Sequence, residues 1–264
     1  MMNIINIMMI GDICGRPGRQ TAAHYIPILK KEYDLSLIIA NGENAAGGIG
    51  ITAPILDELL SQGIDIVTTG NHIWDKKEVF DFIDSKERII RPANYPPGTP
   101  GKGYHILSVD NHKIGIINLA GRVFMPPIDC PFREADDILQ RIKSQCKIII
   151  IDFHAETTSE KMALGWYLDG NISCIAGTHT HIQTADERIL PKGTAYISDL
   201  GMVGPWNSVL GVDKEPVIQK FITGLPAKFN VATGPTVFCA VVIQINTDTG
   251  KANSIIRIQK YLTI

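Results

Sequence analysis

The sequence predicts an α/β fold in which a core of parallel strands is joined by a second, more antiparallel sheet. Short apolar strands alternate with amphipathic helices in the first third of the chain, which favours parallel pairing through right-handed crossovers. Two hairpins are predicted later, one in the middle and one at the C-terminus. No internal repeat or linker interrupts the 264 residues, so we expect a single domain over residues 1–264.

In the first third of the chain, three apolar runs have the length of buried strands. The predicted strands and the helices that follow them are Ile4–Ile10, Pro17–Tyr33, Leu35–Ala40, Ala53–Gln62, Ile64–Thr69 and Lys76–Ile83. The apolar N-terminus has neither a basic segment nor a small-residue cleavage site. We therefore interpret it as a first strand and not as a signal peptide.

The rest of the chain begins with a proline-rich irregular loop and then alternates again. A capping box is predicted at Thr157 and Glu160, where it would open a helix that ends at Leu168. The other predicted elements are a hairpin of Tyr104–Val109 and Lys113–Leu119, a helix at Arg133–Ser144, strands at Lys147–Phe153, Ile172–Ala176 and Thr194–Ser198, a glycine-rich loop at Gly201–Gly211, and a C-terminal hairpin of Val237–Ile245 and Ser254–Leu262.

Composition excludes several classes of partner. The formal net charge of −2 lacks the basic excess that is typical of nucleic-acid or membrane surfaces. The five cysteines are scattered and form no Cys-x-x-Cys pair, which favours a reducing compartment. No apolar run approaches the length of a membrane span. We therefore expect a cytoplasmic protein that forms no stable complex with nucleic acid and does not enter a membrane.

Polar side chains follow five predicted strands, at the point where each strand ends. In open α/β sheets, ligands bind beyond these carboxyl ends. One such residue alone is more often a helix cap or a surface residue, but five coincidences at one edge of a sheet indicate a site. The side chains are Asp12, Asn41, Glu43, Asn44, Asn71, His72, Asp152, His154, His179 and His181.

Imidazole, carboxylate and amide oxygen together favour iron, manganese or zinc over magnesium and calcium. The set is too large for one tetrahedral ion and fits two metals about 3.5–4 Å apart that share a carboxylate. His179 and His181 are two residues apart, so in extended chain both would point to one side, about 6–7 Å from each other. That spacing suits one histidine for each of two ions.

The motifs in this order resemble the YmdB-type family of calcineurin-like metallophosphoesterases, and the resemblance spans nearly the whole chain. The segments that carry it are Gly11–Arg16, Asn41–Ala46, Gly70–Asp75, Arg91–Tyr95, Asp152–Lys161 and Gly177–Asp186. The resemblance implies an α/β/β/α sandwich with two central mixed sheets. It also implies a metal-dependent phosphodiesterase that hydrolyses cyclic nucleotides, chiefly the 2',3'-cyclic kind and secondarily the 3',5'-cyclic kind.

The resemblance further implies which residues hold the metals. Asp12, Glu43, Asn44 and His181 would bind one ion, and Glu43, Asn71, His154 and His179 the other, with Glu43 as the bridge. A metal-bridging hydroxide would attack phosphorus, and His72 would be the general acid. Iron is the preferred metal, with manganese or zinc as alternatives. The expected partner is a small-molecule phosphodiester, and we expect a homo-oligomer whose subunit number the sequence does not fix.

One departure concerns the opening motif of the wider superfamily, Asp-x-His, which here is Asp12-Ile13-Cys14. Asn44 would fill the place of the missing histidine, and Cys14 is either a soft ligand or a small buried residue. Four arginines, Arg16, Arg19, Arg91 and Arg122, either reach substrate or lie on the surface. The alternative functions are a capsule-synthesis-type metallophosphatase and a non-catalytic metal-binding regulatory scaffold.

Overall fold

A computed structural model describes residues 3–263. The strands are β1 (Ile4–Ile10), β2 (Asp12–Ile13), β3 (Leu37–Asn41), β4 (Ile66–Thr68), β5 (Tyr104–Val109), β6 (His112–Ala120), β7 (Ile148–His154), β8 (Cys174–Thr178), β9 (Arg188–Ile189), β10 (Ala195–Ile197), β11 (Met202–Pro205), β12 (Thr236–Asn246) and β13 (Ala252–Leu262). The helices are α1 (Gly15–Glu32), α2 (Ala53–Ser61), α3 (Val79–Phe82), α4 (Pro131–Ile142), α5 (Thr158–Leu168) and α6 (Lys214–Thr223).

These strands form two mixed sheets. The first has the order β2-β11-β12-β1-β3-β4, with β13 paired to β12, and β1 runs parallel to β3 but antiparallel to β12. The second has the order β5-β6-β7-β8-β10-β9, in which β6, β7, β8 and β10 are parallel. The expectation that antiparallel pairs concentrate in one sheet was wrong. The C-terminal hairpin joins the first sheet because β12 is buried along nearly its whole length and pairs with β1.

The two sheets pack face to face, and helices cover their outer faces. Ile7 and Met9 of β1 belong to the core between the sheets, with Ile116 and Ile150 of the second sheet. The intervening residues of β1 point the other way, towards the core under α1 and α2. Helices α4 and α5 pack on the far side of the second sheet. The predicted α/β/β/α sandwich is confirmed.

Three element predictions differ from the structure. Helix α6 was not predicted, although Val217, Ile218, Phe221 and Ile222 recur at helical spacing; of these four, only Val217 is buried. Strand β11 lies inside the predicted glycine-rich loop and pairs with β2 and β12. The predicted helix at 76–83 is helical only over Val79–Phe82. Across residues 3–263, every helix is too short or too polar to cross a membrane.

The predicted capping box was wrong. Thr157 is the N-cap of α5, but its side chain makes no capping hydrogen bond and its hydroxyl is buried without a partner among the described residues. The carboxylate of Glu160 instead accepts hydrogen bonds from the backbone N–H groups of Arg122 and Val123. Glu160 therefore anchors the loop after β6 to α5, which fixes that loop beside the end of β7.

Candidate metal centre

The carboxyl ends of β1, β3 and β4 in the first sheet meet those of β7 and β8 in the second. The prediction that the polar residues lie at one edge of one sheet was therefore wrong, although they do meet. The structure brings together all seven residues predicted to bind metal and the predicted acid. These residues are Asp12, Glu43, Asn44, Asn71, His72, His154, His179 and His181.

Four of them converge on one point around Nε2 of His154. That nitrogen lies 3.1 Å from Oε1 of Glu43, 2.9 Å from Oδ1 of Asn71 and 3.0 Å from Nδ1 of His179. Ligand atoms of Glu43, His154 and His179 all lie within 4.8 Å of one another. Carboxylate, amide and imidazole atoms are thus gathered at distances that a single ion could span.

A second group lies beside the first, around Asp12. Its Oδ1 is 3.9 Å from Nε2 of His181 and also 3.9 Å from Nδ1 of His154. Its Oδ2 accepts a hydrogen bond of 3.1 Å from the backbone N–H of His179. Asn44 lies between the groups, with Nδ2 3.1 Å from Nε2 of His181 and 3.2 Å from Oε1 of Glu43.

Each histidine uses its outer nitrogen as a donor. The Thr178 hydroxyl donates to Asp152 and therefore accepts from Nδ1 of His154, at 3.0 Å. Nε2 of His179 is 3.0 Å from the carboxylate of Glu156. For His181, Nδ1 donates to a backbone carbonyl at 2.9 Å. These bonds place a proton on each outer nitrogen, so the inner nitrogens of His179 and His181 turn lone pairs towards the centre, and Nε2 of His154 does so once a metal ion displaces its proton.

The electrostatics of the centre follow from its burial. Burial raises the pKa of Asp12 to about 6 against the pull of the histidines. Burial opposes charge on His154 too, but Glu43 and Asp12 outweigh it and raise the pKa of His154 to about 9. Burial and the neighbouring His154 lower the pKa of His179 to about 3, so this imidazole is neutral at pH 7.

The donor set fits metal ions. Oδ1 of Asp12 is buried and has no hydrogen-bond partner in the part of the chain that the structure describes, a costly arrangement unless a cation is bound. Imidazole lone pairs and carboxylates are the ligands that iron, manganese and zinc accept. A cavity of about 290 Å³ opens beside these groups, lined in part by Glu43, Asn44, His72, His179 and His181.

His72 lies at the edge of this cavity. Its backbone N–H donates to Oε2 of Glu43 at 3.0 Å, which holds residue 72 beside the predicted bridging carboxylate. Its side-chain Nδ1 lies 2.7 Å from Oδ2 of Asp75. The side chain of His72 is 34% exposed, so its other nitrogen remains accessible to a ligand in the cavity.

The extended geometry predicted for the two neighbouring histidines was wrong. Strand β8 ends at Thr178, and His179 and His181 have φ angles of 100° and 63° in the loop that follows. They nevertheless serve different groups, since His179 contacts His154 and His181 contacts Asn44. A left-handed backbone at non-glycine residues is not visible in an amino-acid pattern, so the extended chain was the natural expectation.

Asn44 presents the nitrogen of its amide to His181 and Glu43, so coordination through its oxygen requires the amide to turn about χ2. Cys14 is buried against the N-terminal end of α1, and burial raises the pKa of its thiol to about 12. It does not line the cavity beside the predicted ligands, so Cys14 is a small buried residue.

Two of the four arginines are used internally. Arg91 is buried and donates to four backbone carbonyls of the proline-rich loop, and Arg19 donates to the carbonyl of Ala45 and pairs with Glu58. Neither guanidinium lines the metal cavity.

The sequence reasoning missed Glu156 and Thr178, which orient His179 and His154. Their closeness in sequence to predicted ligands could have indicated this role, since Glu156 comes two residues after His154 and Thr178 immediately precedes His179. Asp152, one of the polar residues predicted at strand ends, supports His154 through the hydroxyl of Thr178.

Comparisons with known proteins agree with this geometry. The sequence matches the family described as YmdB-like protein over residues 8–258. A 2',3'-cyclic-nucleotide 2'-phosphodiesterase of Bacillus subtilis is 52% identical over 254 residues, which cover 96% of each chain. A solved structure described as a novel phosphatase from Mycoplasma pneumoniae has a TM-score of 0.95 at 34% identity, over 100% of this chain and 95% of that one.

A hypothetical protein from Thermus thermophilus is similar with a TM-score of 0.92 and 40% identity, over 97% of this chain and 99% of that one. Similarity in sequence and in fold thus extends over almost the full length of each protein compared. The chain belongs to the YmdB-like family, as its sequence motifs predicted.

Proposed function

We propose that this protein is a two-metal phosphodiesterase that hydrolyses cyclic nucleotides, with 2',3'-cyclic nucleotides as the preferred class and 3',5'-cyclic nucleotides as the second. The enzyme class is supported by the 52% identity to the Bacillus subtilis phosphodiesterase. The observation that carries the metal centre is the convergence of three imidazole rings on two buried carboxylates, one of which has an oxygen with no hydrogen-bond partner among the described residues.

The contacts support a division of the ligands into two groups. Asp12, Asn44 and His181 would hold one ion, and Asn71, His154 and His179 the other. Glu43 would join the two ions, because one of its oxygens contacts His154 while Asn44 approaches the same carboxylate from the other group. Three imidazoles with carboxylates favour iron, and manganese or zinc are the alternatives.

When bound, two such ions would supply an activated water nucleophile and positive charge for the phosphoryl oxygens. The chain itself supplies orientation and a proton. His72 is proposed as the general acid, and its Nδ1 bond to Asp75 fixes the ring so that Nε2 is the atom that faces a substrate. Nε2 is therefore the atom from which a proton would be donated to the leaving oxygen.

An activity screen with defined metal content tests the proposal. Iron, manganese and zinc forms would be assayed on 2',3'- and 3',5'-cyclic nucleotides, nucleoside monophosphates and bis-p-nitrophenyl phosphate, with elemental analysis of each sample. We expect two ions per chain and the fastest turnover on a 2',3'-cyclic nucleotide. Turnover of monoesters alone would indicate the capsule-synthesis-type phosphatase, and metal without any turnover would indicate a regulatory scaffold.

Three further features of the protein stay predictions. They are a single domain over residues 1–264, a cytoplasmic location and a homo-oligomeric state. Size-exclusion chromatography with light scattering checks the last of them directly.

A further inference from the structure

A buried ion pair lies directly behind the loop that carries His179 and His181. Nζ of Lys161, on α5, is 2.6 Å from Oδ2 of Asp199, and both side chains are at most 2% exposed. Such a pair is weak evidence for stability, because removing two charges from water costs about as much as their attraction returns. Because the pair lies behind the loop of the two histidines, we looked to that loop for its role.

Asp199 holds the histidine loop at its middle residue. Its Oδ2 accepts hydrogen bonds from both the backbone N–H of Thr180, at 3.1 Å, and the hydroxyl of Thr180, at 2.7 Å. Thr180 lies between the two histidines, whose left-handed backbone is unfavourable for residues with a side chain. A conformation of this kind persists only where its surroundings hold it in place, and Asp199 provides two such bonds.

The other oxygen of Asp199 reaches the first sheet. Its Oδ1 accepts from the backbone N–H of Gly201 at 2.8 Å, and the carbonyl of Gly201 accepts from the N–H of Asp12 at 3.0 Å. The backbones of Gly11 and Gly201 are so close that a Cβ on Gly11 would lie 2.0 Å from the carbonyl oxygen of Gly201. One carboxylate is thus connected to the loop of His179 and His181 on one side and to Asp12 on the other.

We infer that the Lys161–Asp199 pair is a positioning device that sets the distance between the metal ligands that follow strands of the first sheet and those that follow strands of the second. This inference rests on the proposed two-metal centre. Lys161 fixes the carboxylate of Asp199 through the 2.6 Å contact, and Asp199 then holds Thr180 and Gly201 at a constant distance. Neither Lys161 nor Asp199 is expected to contact the ions or the substrate.

The test compares two changes at Thr180. Thr180→Val removes the hydroxyl bond to Asp199 but keeps the backbone N–H and the size of the side chain, whereas Thr180→Ser keeps the hydroxyl. The control is Thr194→Val. Thr194 is buried, and its hydroxyl makes two hydrogen bonds, where that of Thr180 makes one. It immediately precedes β10, whereas Asp199 lies beyond the other end of that strand. Manganese affinity is measured by chelator competition, and the two-manganese form is examined by electron paramagnetic resonance.

We expect Thr180→Val to bind manganese about 10–100-fold more weakly, as is usual when a residue that orients metal ligands is lost. We also expect an altered spectrum, because the coupling between two manganese ions depends on their separation. Thr180→Ser should restore both properties, and Thr194→Val should lower the unfolding temperature without changing either. Lys161→Met should act in the same direction as Thr180→Val and non-additively with it.

Native affinity and spectrum in Thr180→Val would overturn the inference, as would a Thr180→Ser variant that behaves like the valine variant. If Lys161→Met does not fold, the comparison at Thr180 decides alone. A wild-type protein that binds no manganese, iron or zinc would overturn the proposed centre and this inference with it. A wild-type protein with two ions and unaffected variants would overturn the inference only.

Discussion

Nε2 of His154 lies 3.1 Å from Oε1 of Glu43, and neither side chain is more than 1% exposed. Glu43 follows a strand of the first sheet and His154 ends a strand of the second, so this contact joins the ligands that the two sheets supply. Although burial opposes charge on both, their attraction lowers the pKa of Glu43 to about 2 and raises that of His154 to about 9. In the metal-free protein at pH 7, a proton on His154 therefore offsets the carboxylate.

That proton makes metal binding depend on pH. An ion that takes Nε2 of His154 must displace the proton, so metal affinity should rise with pH until about pH 9, where His154 is half deprotonated without metal. Below about pH 6, protonation of Asp12 should weaken binding further. Calorimetric titration at pH 7 in buffers of different ionisation enthalpy should reveal about one proton released when the site fills. Binding heats that do not vary with the buffer would contradict this prediction.

Replacing the carboxylate that joins the two groups should remove both metal and activity. Glu43→Gln keeps the shape of the side chain but loses the charge that compensates for two cations and for His154. We expect a metal content well below two ions per chain and a loss of activity of at least about 100-fold, since a buried ligand charge has no replacement here.

Elemental analysis and turnover of bis-p-nitrophenyl phosphate check the Glu43 variant. Glu58→Gln is the matched control, because Glu58 is 40% exposed and pairs with Arg19 away from the cavity. A Glu43→Gln protein with two ions would show that this carboxylate is not a bridge.

Loss of the proposed acid should leave the metals in place. His72→Ala is expected to keep two ions per chain and to lose about 10²–10⁴-fold in rate on a cyclic nucleotide, the usual contribution of a general acid. A diester with a p-nitrophenolate leaving group needs no proton, so its hydrolysis should fall much less. Asp75→Asn should show a smaller loss of the same kind, because it leaves the His72 ring in place without its carboxylate partner. Equal losses on both substrates would exclude His72 as the acid.

Most of the site was predictable because its residues follow strands that periodicity reveals. Strand β1 was predicted at its observed bounds, and Asp12 comes two residues after it. The motif resemblance then assigned Glu43, His154, His179 and His181 to one metal centre.

The remainder depends on contacts between distant segments, which no local pattern encodes. The convergence of two sheets, and not the edge of one, arises from their face-to-face packing, in which Ile7 and Met9 share a core with Ile116 and Ile150. Thr180, which lies between His179 and His181, is hydrogen-bonded to Asp199, 19 residues away along the chain. Glu160 fits a capping box by sequence but binds the loop after β6. In each case, contacts between residues far apart in the sequence determine the structure, and local sequence patterns do not reveal them.

Gly70 provides a steric test of the centre. A Cβ at this position would lie 2.3 Å from Nε2 of His154 and 2.4 Å from Oε2 of Glu43, closer than real Cβ contacts allow. The backbone of Gly70 is not left-handed, so alanine needs no unfavourable φ angle there. The added methyl group would therefore act through its clash with the side chains of His154 and Glu43. Gly70→Ala is therefore expected to fold but to bind metal at least about 10-fold more weakly, because both side chains must move.

Gly98→Ala is the opposite case and serves as the control for Gly70→Ala. Gly98 has a φ angle of 87° and open space around its missing Cβ, so alanine there strains the backbone without approaching the metal ligands. We expect Gly98→Ala to lower the unfolding temperature and to retain full metal content, whereas Gly70→Ala should lose metal affinity. Thermal unfolding of the metal-free proteins and elemental analysis of the loaded ones measure both. Two ions bound with native affinity in Gly70→Ala would mean that His154 and Glu43 do not define the metal position.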